Sequence, residues 1–113
     1  MFDLKNKKIF VAGHKGMVGS SIMNELYSLN LEVLTAEKNE LDLRDFSRVN
    51  NWFEKNKPDV VIIAAAKVGG IHANSSYPVQ FLLDNLKIQN NLIELSHNHD
   101  VKKLLFLGSS CIY

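Results

Sequence analysis

Hydrophobic and polar positions alternate between two patterns along the chain. Four short, largely apolar runs have the length and composition of buried parallel strands, at residues 9–12, 31–35, 59–66 and 103–107. Three intervening segments, which begin near Val18, Phe46 and Pro78, carry apolar residues three or four positions apart, as amphipathic helices do. This alternation predicts an α/β fold of the Rossmann type. We expect a parallel sheet of about four strands, right-handed crossovers and helices on both faces.

Each predicted helix has an apolar face that should pack on the sheet. Asp45 is a predicted N-cap of the second helix, because a short side-chain oxygen can accept a free backbone N–H there. Lys57-Pro58 should end that helix. The expected faces are Val18, Ile22, Leu26 and Leu29 in the first helix, Phe46, Val49, Trp52 and Phe53 in the second, and Phe81, Leu82, Asn85, Ile88, Leu92 and Leu95 in the third.

Composition narrows the function classes without selecting one. The 113 residues are 46% hydrophobic and carry a formal charge of +1, with no basic stripe, which argues against a nucleic-acid binder. The single cysteine, Cys111, cannot form an internal disulfide and fits a reducing compartment. No run has the length of a membrane span, and the polar N-terminus lacks the apolar core of a signal peptide. These features predict a cytoplasmic protein.

A glycine-rich segment joins the first strand to the first helix. Gly13, Gly16 and Gly19 have the spacing G-x-x-G-x-x-G. One glycine permits the tight turn, one lets the backbone approach a pyrophosphate, and one lets the helix pack closely. The helix N-terminus then presents free N–H groups to the phosphates. The segment predicts dinucleotide binding; a turn that merely needs small residues is the alternative. The predicted binding residues are Gly13, His14, Lys15, Gly16, Met17, Val18 and Gly19.

Residues at the end of the second strand should determine whether the cofactor is NAD or NADP. An acid at its end commonly holds the ribose 2′-hydroxyl of NAD, whereas cations accommodate the 2′-phosphate of NADP. Glu37 is such an acid, while Lys15 and Lys38 are candidate cations. Two cations against one acid favour NADP(H). Lysine lacks the bidentate fork of arginine, so a looser phosphate clamp is expected, and NAD stays open on the residues alone.

Three segments resemble the GDP-L-fucose synthase family, the GDP-4-keto-6-deoxy-D-mannose 3,5-epimerase/4-reductases of the extended short-chain dehydrogenase/reductase group. They are residues 13–20 (GHKGMVGS), 64–71 (AAAKVGGI) and 104–113 (LLFLGSSCIY), and the resemblance runs from about Lys8 to Tyr113. It implies NADP(H) binding and conversion of GDP-4-keto-6-deoxy-D-mannose to GDP-L-fucose by double epimerisation and reduction. It also implies a GDP-sugar substrate and a homodimer at full length.

The resemblance assigns roles to individual residues. Ser109 matches the catalytic serine that hydrogen-bonds the keto oxygen, and Cys111 matches the acid/base cysteine of epimerisation. Alone, the serine could cap a turn and the cysteine could be a small buried hydrophobe. Lys15 and Lys38 stand where the family has arginines facing the 2′-phosphate, and Asp42-Leu43 matches the segment that edges the adenine. The other predicted cofactor-binding residues are Ala64, Ala65, Ala66, Lys67, Leu107, Gly108, Ser109 and Ser110.

The family's Tyr-x-x-x-Lys motif does not occur in these 113 residues, since Tyr27 and Tyr77 are followed four positions later by Leu31 and Phe81. Residues 1–113 are therefore predicted to be the N-terminal part of an NADP-binding Rossmann domain, truncated before that motif and the substrate domain. We expect this polypeptide to be inactive alone. Another NAD(P)-dependent sugar-nucleotide epimerase or dehydratase, or a non-catalytic NADP-binding module, stays open.

The four histidines lack the spacing of metal ligands beyond one His-x-His near a helix end. His97 and His99, which form that pair, are predicted to face solvent. We predict no metal site.

Overall fold

A computed structural model of the chain describes residues 5–14, 17–37, 39–64 and 79–106, with backbone alone at residues 17, 18 and 80–82. Seven elements alternate along these residues. They are β1 (Lys8–Ala12), α1 (Met17–Ser28), β2 (Glu32–Leu34), α2 (Phe46–Asn56), β3 (Val60–Ile63), α3 (Val79–Asn98) and β4 (Lys103–Phe106).

The four strands form one parallel sheet in the order β2-β1-β3-β4. In register, Lys8 pairs with Glu32 and Ile9 pairs with Val60. This confirms the predicted parallel sheet, although the second and third strands are shorter than their apolar runs. Beyond β3 the Ala64 N–H still donates to the Ala12 carbonyl oxygen at 2.8 Å, so the two central strands remain joined at their carboxyl ends.

The strand order places a topological switch point at the middle of the sheet. β1 connects through α1 to β2 on one side, whereas β3 connects through α3 to β4 on the other. The connections therefore diverge at the carboxyl ends of β1 and β3. In open parallel sheets, ligands bind in the crevice that such divergence leaves. Gly13 and Ala64 directly follow these two strand ends.

One face of the sheet is covered by α1. Strand side chains alternate between faces, and Ile9, Val11, Val60 and Ile62 point towards this helix. They are buried with Met23 and Leu26 of α1. Leu29, expected on the same helical face, is instead 57% exposed, because α1 ends at Ser28 and the chain turns away through Asn30 at positive φ. Met23 occupies the buried position that the sequence did not single out.

The opposite face is covered by α2 and α3, which confirms helices on both sides. Its fully buried residues come from both helices and from the central strands; they are Phe10, Ala12, Val61 and Ile63 from the strands, Val49 and Phe53 from α2, and Leu92 and Leu95 from α3. Ile88 and Trp52 pack at the margin of this cluster, and Asn85 of α3 is also buried. Phe46, the first residue of α2, is 39% exposed, so the predicted face is correct except at this end.

Both ends of α2 are capped. The Asp45 side chain accepts the Arg48 N–H at 3.2 Å, which confirms the predicted N-cap. Lys57 adopts a left-handed conformation, with φ at 48°, and its N–H donates to the Phe53 carbonyl oxygen at 2.7 Å. Pro58, which cannot continue a helix, follows immediately.

β4 forms one edge of the described sheet, and its Leu104, Leu105 and Phe106 are more than a third exposed. Across the described ranges, none of the helices combines the length and apolar character needed to cross a membrane.

Candidate functional site

The glycine loop begins where β1 ends. Gly13 follows Ala12 with φ at 88°, a left-handed conformation that glycine adopts without the steric cost of a Cβ. The chain re-enters regular structure at Met17, where α1 starts. The N-terminus of α1 thus lies at the carboxyl end of the central strand, as anion binding by helix N–H groups requires.

Gly19 lets α1 pass very close to this loop. A Cβ at residue 19 would lie 2.0 Å from the Gly13 carbonyl oxygen and 2.9 Å from His14 Cα. These are backbone atoms, so the contact cannot be relieved by a side-chain rotation. Ser20 Oγ also donates to the His14 carbonyl oxygen at 3.3 Å, which fastens the loop to the helix. Gly19 therefore permits a close approach of α1 to the loop, a need for small residues that the sequence predicted for one of the three glycines.

A histidine–carboxylate contact joins the glycine loop to the end of the second strand. His14 Nε2 lies 3.2 Å from Glu37 Oε2, with the histidine side chain 16% exposed and the glutamate 42% exposed. Both residues were considered for cofactor recognition from the sequence, but their contact was missed. The contact could have been expected, because His14 and Glu37 follow β1 and β2, which are adjacent parallel strands whose carboxyl ends meet at one edge of the sheet.

The predicted adenine-edging segment is held by an arginine that sequence reasoning missed. Arg44 donates through Nη2 to Asp42 Oδ2 at 2.7 Å and through Nε to Asp42 Oδ1 at 3.0 Å. Its Nη1 donates to Asp84 Oδ2 on α3 at 3.1 Å. Hydrogen bonding and charge from Asp42, and then from Asp84, raise the pKa of Arg44. The Asp42 carboxylate is thereby fixed in place, and its Oδ1 also accepts the Arg44 backbone N–H at 3.0 Å.

Leu43, next to Asp42, is fixed by its backbone. Asn91 Nδ2 of α3 donates to the Leu43 carbonyl oxygen at 2.9 Å, and the half-buried Leu43 side chain packs against the core beneath α2 and α3. Two links therefore tie this segment to α3. Neither link could be predicted from the sequence, because residues 42–44 and α3 are about 40 or more positions apart.

The described residues bring together one part of the predicted site. Gly13, His14, Gly19 and Ala64 follow or face the two central strand ends, and α1 contains Met17 and Val18, whose side chains are not described. The remaining predicted residues lie outside the described ranges; they are Lys15, Gly16, Lys38, Ala65, Ala66, Lys67, Leu107, Gly108, Ser109, Ser110 and Cys111.

The prediction that His97 and His99 both face solvent is half wrong. His97 is exposed, but His99 is half-buried. Its ring centroid lies 5.7 Å from that of Phe53, and its Nε2 lies 2.7 Å from Asn50 Oδ1. The His99 N–H donates to the Leu95 carbonyl oxygen at 2.9 Å, so His99 continues the last turn of α3 and its ring lies on the side of that helix that packs against α2. Within the described ranges, no three His, Cys, Asp or Glu side chains form a group that could hold a metal ion.

Comparison with known proteins adds the family context. The NAD dependent epimerase/dehydratase family matches residues 9–113. The putative GDP-L-fucose synthase 2 of Arabidopsis thaliana is 54% identical over 110 residues, which are 96% of this chain and 34% of that protein. The GDP-L-fucose synthase of Escherichia coli K12 is 46% identical over 111 residues, or 97% and 35%.

A solved structure shows the same fold. The GDP-mannoheptose C4 reductase from Campylobacter jejuni, determined with NADP bound, superposes with a TM-score of 0.84 at 34% identity and covers 96% of this chain and 32% of its own. The chain thus spans about a third of the length of the curated relatives that it matches. Its glycine loop, parallel sheet and sequence together show that the chain belongs to the NAD dependent epimerase/dehydratase family.

Proposed function

We propose that the chain is the N-terminal, NADP(H)-binding part of a GDP-L-fucose synthase. The observation that carries the proposal is the approach of Gly19 to the Gly13 backbone at the carboxyl end of β1. A Cβ would collide with this backbone, so glycine keeps the start of α1 against the loop, where the free N–H groups of the helix fit a bound pyrophosphate. The identity of 46–54% to GDP-L-fucose synthases supports the particular activity, and the NADP-bound reductase supports the choice of cofactor.

Each part of the nucleotide would meet a different segment. The glycine loop would donate backbone N–H groups to the pyrophosphate, and Lys15 and Lys38 would attract the 2′-phosphate. Asp42 and Leu43 would edge the adenine from the position that Arg44 and α3 fix. Residues 64–67 and 107–110, which follow β3 and β4, would line the nicotinamide side. The bound cofactor would supply the hydride that reduces the 4-keto group.

The catalytic side chains would follow β4. The Ser109 hydroxyl would donate a hydrogen bond to the keto oxygen of the sugar, which favours negative charge on that oxygen. The ketone makes the hydrogens on neighbouring carbons acidic, so Cys111 would move a proton at those carbons during epimerisation. The substrate would be GDP-4-keto-6-deoxy-D-mannose. The Tyr-x-x-x-Lys motif of the family would complete the proton transfer at the keto oxygen, and residues 1–113 do not contain it.

The proposal extends to the domain, the localisation and the oligomeric state of the full-length enzyme. Residues 1–113 would form the first part of the NADP-binding Rossmann domain in a cytoplasmic homodimeric enzyme. The enzyme would act in nucleotide-sugar biosynthesis as a multifunctional oxidoreductase and isomerase. The 113-residue polypeptide alone would bind cofactor without completing the reaction, because it lacks the tyrosine and lysine that act on the keto oxygen.

Two measurements on the chain test the proposal. Titration calorimetry with NADPH and NADH should give tighter binding of NADPH, and absence of NADPH binding would refute the cofactor assignment. An NADPH-oxidation assay with GDP-4-keto-6-deoxy-D-mannose should show no turnover by the chain. Robust turnover would refute the claim that it is inactive alone.

A second activity is favoured by the structural similarity to the heptose reductase. That protein's name specifies reduction at C4 of a GDP-sugar, so an enzyme that only reduces a 4-keto GDP-sugar is the alternative. Product analysis with the full-length protein separates the two. GDP-L-fucose as the product supports the epimerase/reductase, whereas reduction without inversion at C3 and C5 supports the simple reductase.

A further inference from the structure

An acid occupies the position that would contact the 2′-hydroxyl of NAD or the 2′-phosphate of NADP. Glu37 lies three residues beyond the last residue of β2. In sheets of this topology an acid there accepts a hydrogen bond from the ribose 2′-hydroxyl, which suits NAD. A 2′-phosphate at the same place carries close to two negative charges near neutral pH and is repelled by a carboxylate. The proposed preference for NADPH must therefore overcome Glu37, beyond the attraction that Lys15 and Lys38 would supply.

His14 is placed to restrain the Glu37 carboxylate. His14 Nε2 lies 3.2 Å from Glu37 Oε2, within reach of a hydrogen bond from a protonated ring nitrogen. The imidazole is only 16% exposed and is anchored in the glycine loop, so its position is well defined relative to the 42% exposed carboxylate. The turn after Glu37 is held as well, since Glu40 Oε1 accepts the Glu37 N–H at 3.0 Å and the Leu41 N–H donates to the Glu37 carbonyl oxygen at 2.8 Å.

We infer that His14 and Glu37 act as a coupled pair that sets the preference between a 2′-phosphate and a 2′-hydroxyl. The Glu37 carboxylate repels the 2′-phosphate. His14 weakens this repulsion because it holds the carboxylate at the glycine loop. The inference rests on the proposed nucleotide site and adds a specificity role for His14, which acts only through Glu37. The two residues belong to different strand ends, so their effects on binding should be interdependent.

The test uses two ligands that differ only in the group of interest. Adenosine 2′,5′-bisphosphate and adenosine 5′-phosphate both lack the nicotinamide half, and the ratio of their dissociation constants reports recognition of the 2′-phosphate. Calorimetry on the 113-residue chain would compare the unaltered protein with Glu37→Gln, His14→Leu and the double variant. Circular dichroism melts would establish that each variant is folded.

Three changes are expected. Glu37→Gln should tighten the bisphosphate about five- to tenfold, the order expected for one unit charge removed beside a multivalent anion near the surface, and should change the monophosphate less than about twofold. His14→Leu should weaken the bisphosphate about threefold while Glu37 is present. In the Glu37→Gln background the same His14→Leu change should leave the ratio unaltered, because the carboxylate that His14 holds is gone.

Glu32→Gln is the matched control. Glu32 is an exposed acid at the start of β2, five residues before Glu37 and towards the opposite end of that strand. Its removal changes net charge equally and should leave the ratio of dissociation constants unchanged.

The possible results separate the two proposals. Additive effects of the two changes, equal effects on both ligands, no effect of Glu37→Gln, or an equal effect of Glu32→Gln would overturn the coupled pair and leave the nucleotide site standing. Failure of the folded, unaltered chain to bind either ligand or NADPH would overturn the nucleotide site, and the pair with it.

Discussion

Gly19→Ala is the substitution that most directly probes the glycine loop. It adds one methyl group at a position where the Cβ would lie 2.0 Å from the Gly13 carbonyl oxygen and 2.8 Å from the Gly13 carbonyl carbon. Carbon and oxygen atoms that are not bonded normally stay more than 3 Å apart, so either the loop or α1 must move. Both carry the predicted phosphate contacts, and a movement of either one displaces the backbone N–H groups from the pyrophosphate.

Two opposing effects determine the change in stability. Alanine favours a helix over glycine by up to about 1 kcal/mol. Overpacking costs about 1–3 kcal/mol, and a clash with backbone lies at the upper end of that range. The expected net destabilisation is therefore about 1–2 kcal/mol in the free energy of unfolding. The displaced loop should weaken NADPH binding at least tenfold, equivalent to about 1.4 kcal/mol.

Urea unfolding followed by far-UV circular dichroism would give the stability, and calorimetry would give the dissociation constant for NADPH. Ser21→Ala is the matched control, because Ser21 is an exposed residue of the same helix and its replacement should only add about 0.5 kcal/mol of helix propensity. If Gly19→Ala were as stable as Ser21→Ala and bound NADPH with unchanged affinity, the close approach of α1 to the glycine loop would be refuted.

Three further substitutions test the packing and capping. Phe53→Ala should lower the free energy of unfolding by about 3–5 kcal/mol in a urea titration, because its ring is fully buried between α2 and the sheet; a loss below 1 kcal/mol would contradict this packing. Asp45→Ala should cost about 0.5–2 kcal/mol by removing the acceptor for the Arg48 N–H, whereas Asp45→Asn should be nearly neutral, and equal losses would argue against capping. Lys57→Gly should raise the thermal midpoint of unfolding, and the free energy of unfolding by about 0.5–1 kcal/mol, because φ is 48° at this position. A lower midpoint would show that the left-handed turn carries no strain.

The strand–helix order could be predicted because local signals and packing agree. Residues such as Ile9, Val11, Val60 and Ile62 belong to continuous apolar runs, and such runs are typical of strands buried on both faces. Asp45 could be identified as a cap from its side chain and its place before an apolar face. The ends of elements were less predictable. Leu29 has the right spacing for the α1 face, but the helix stops one residue before it.

In the candidate site too, some features could be predicted from the sequence and others could not. Gly13 and Gly19 could be assigned because backbone geometry restricts those positions to glycine, and a motif records that restriction. Contacts between side chains from distant segments leave no such record. Arg44 reaches Asp84 across 40 positions, and His14 reaches Glu37 across 23, so both contacts depend on how strands and helices are placed in space. Such pairs follow from topology only after the sheet order is known.

The central position of β1 has a consequence for folding during synthesis. β1 is made before its partner β3, which lies 51 residues later, and the hydrogen bond from the Lys8 N–H to Asp59 Oδ2 spans the same interval. At about 5–20 residues per second, the ribosome takes roughly 3–10 s to supply that partner. During this time Ile9, Phe10 and Val11 have no strand on one side. The nascent chain therefore presents an unfinished apolar strand to chaperones for seconds before its most central contacts can form.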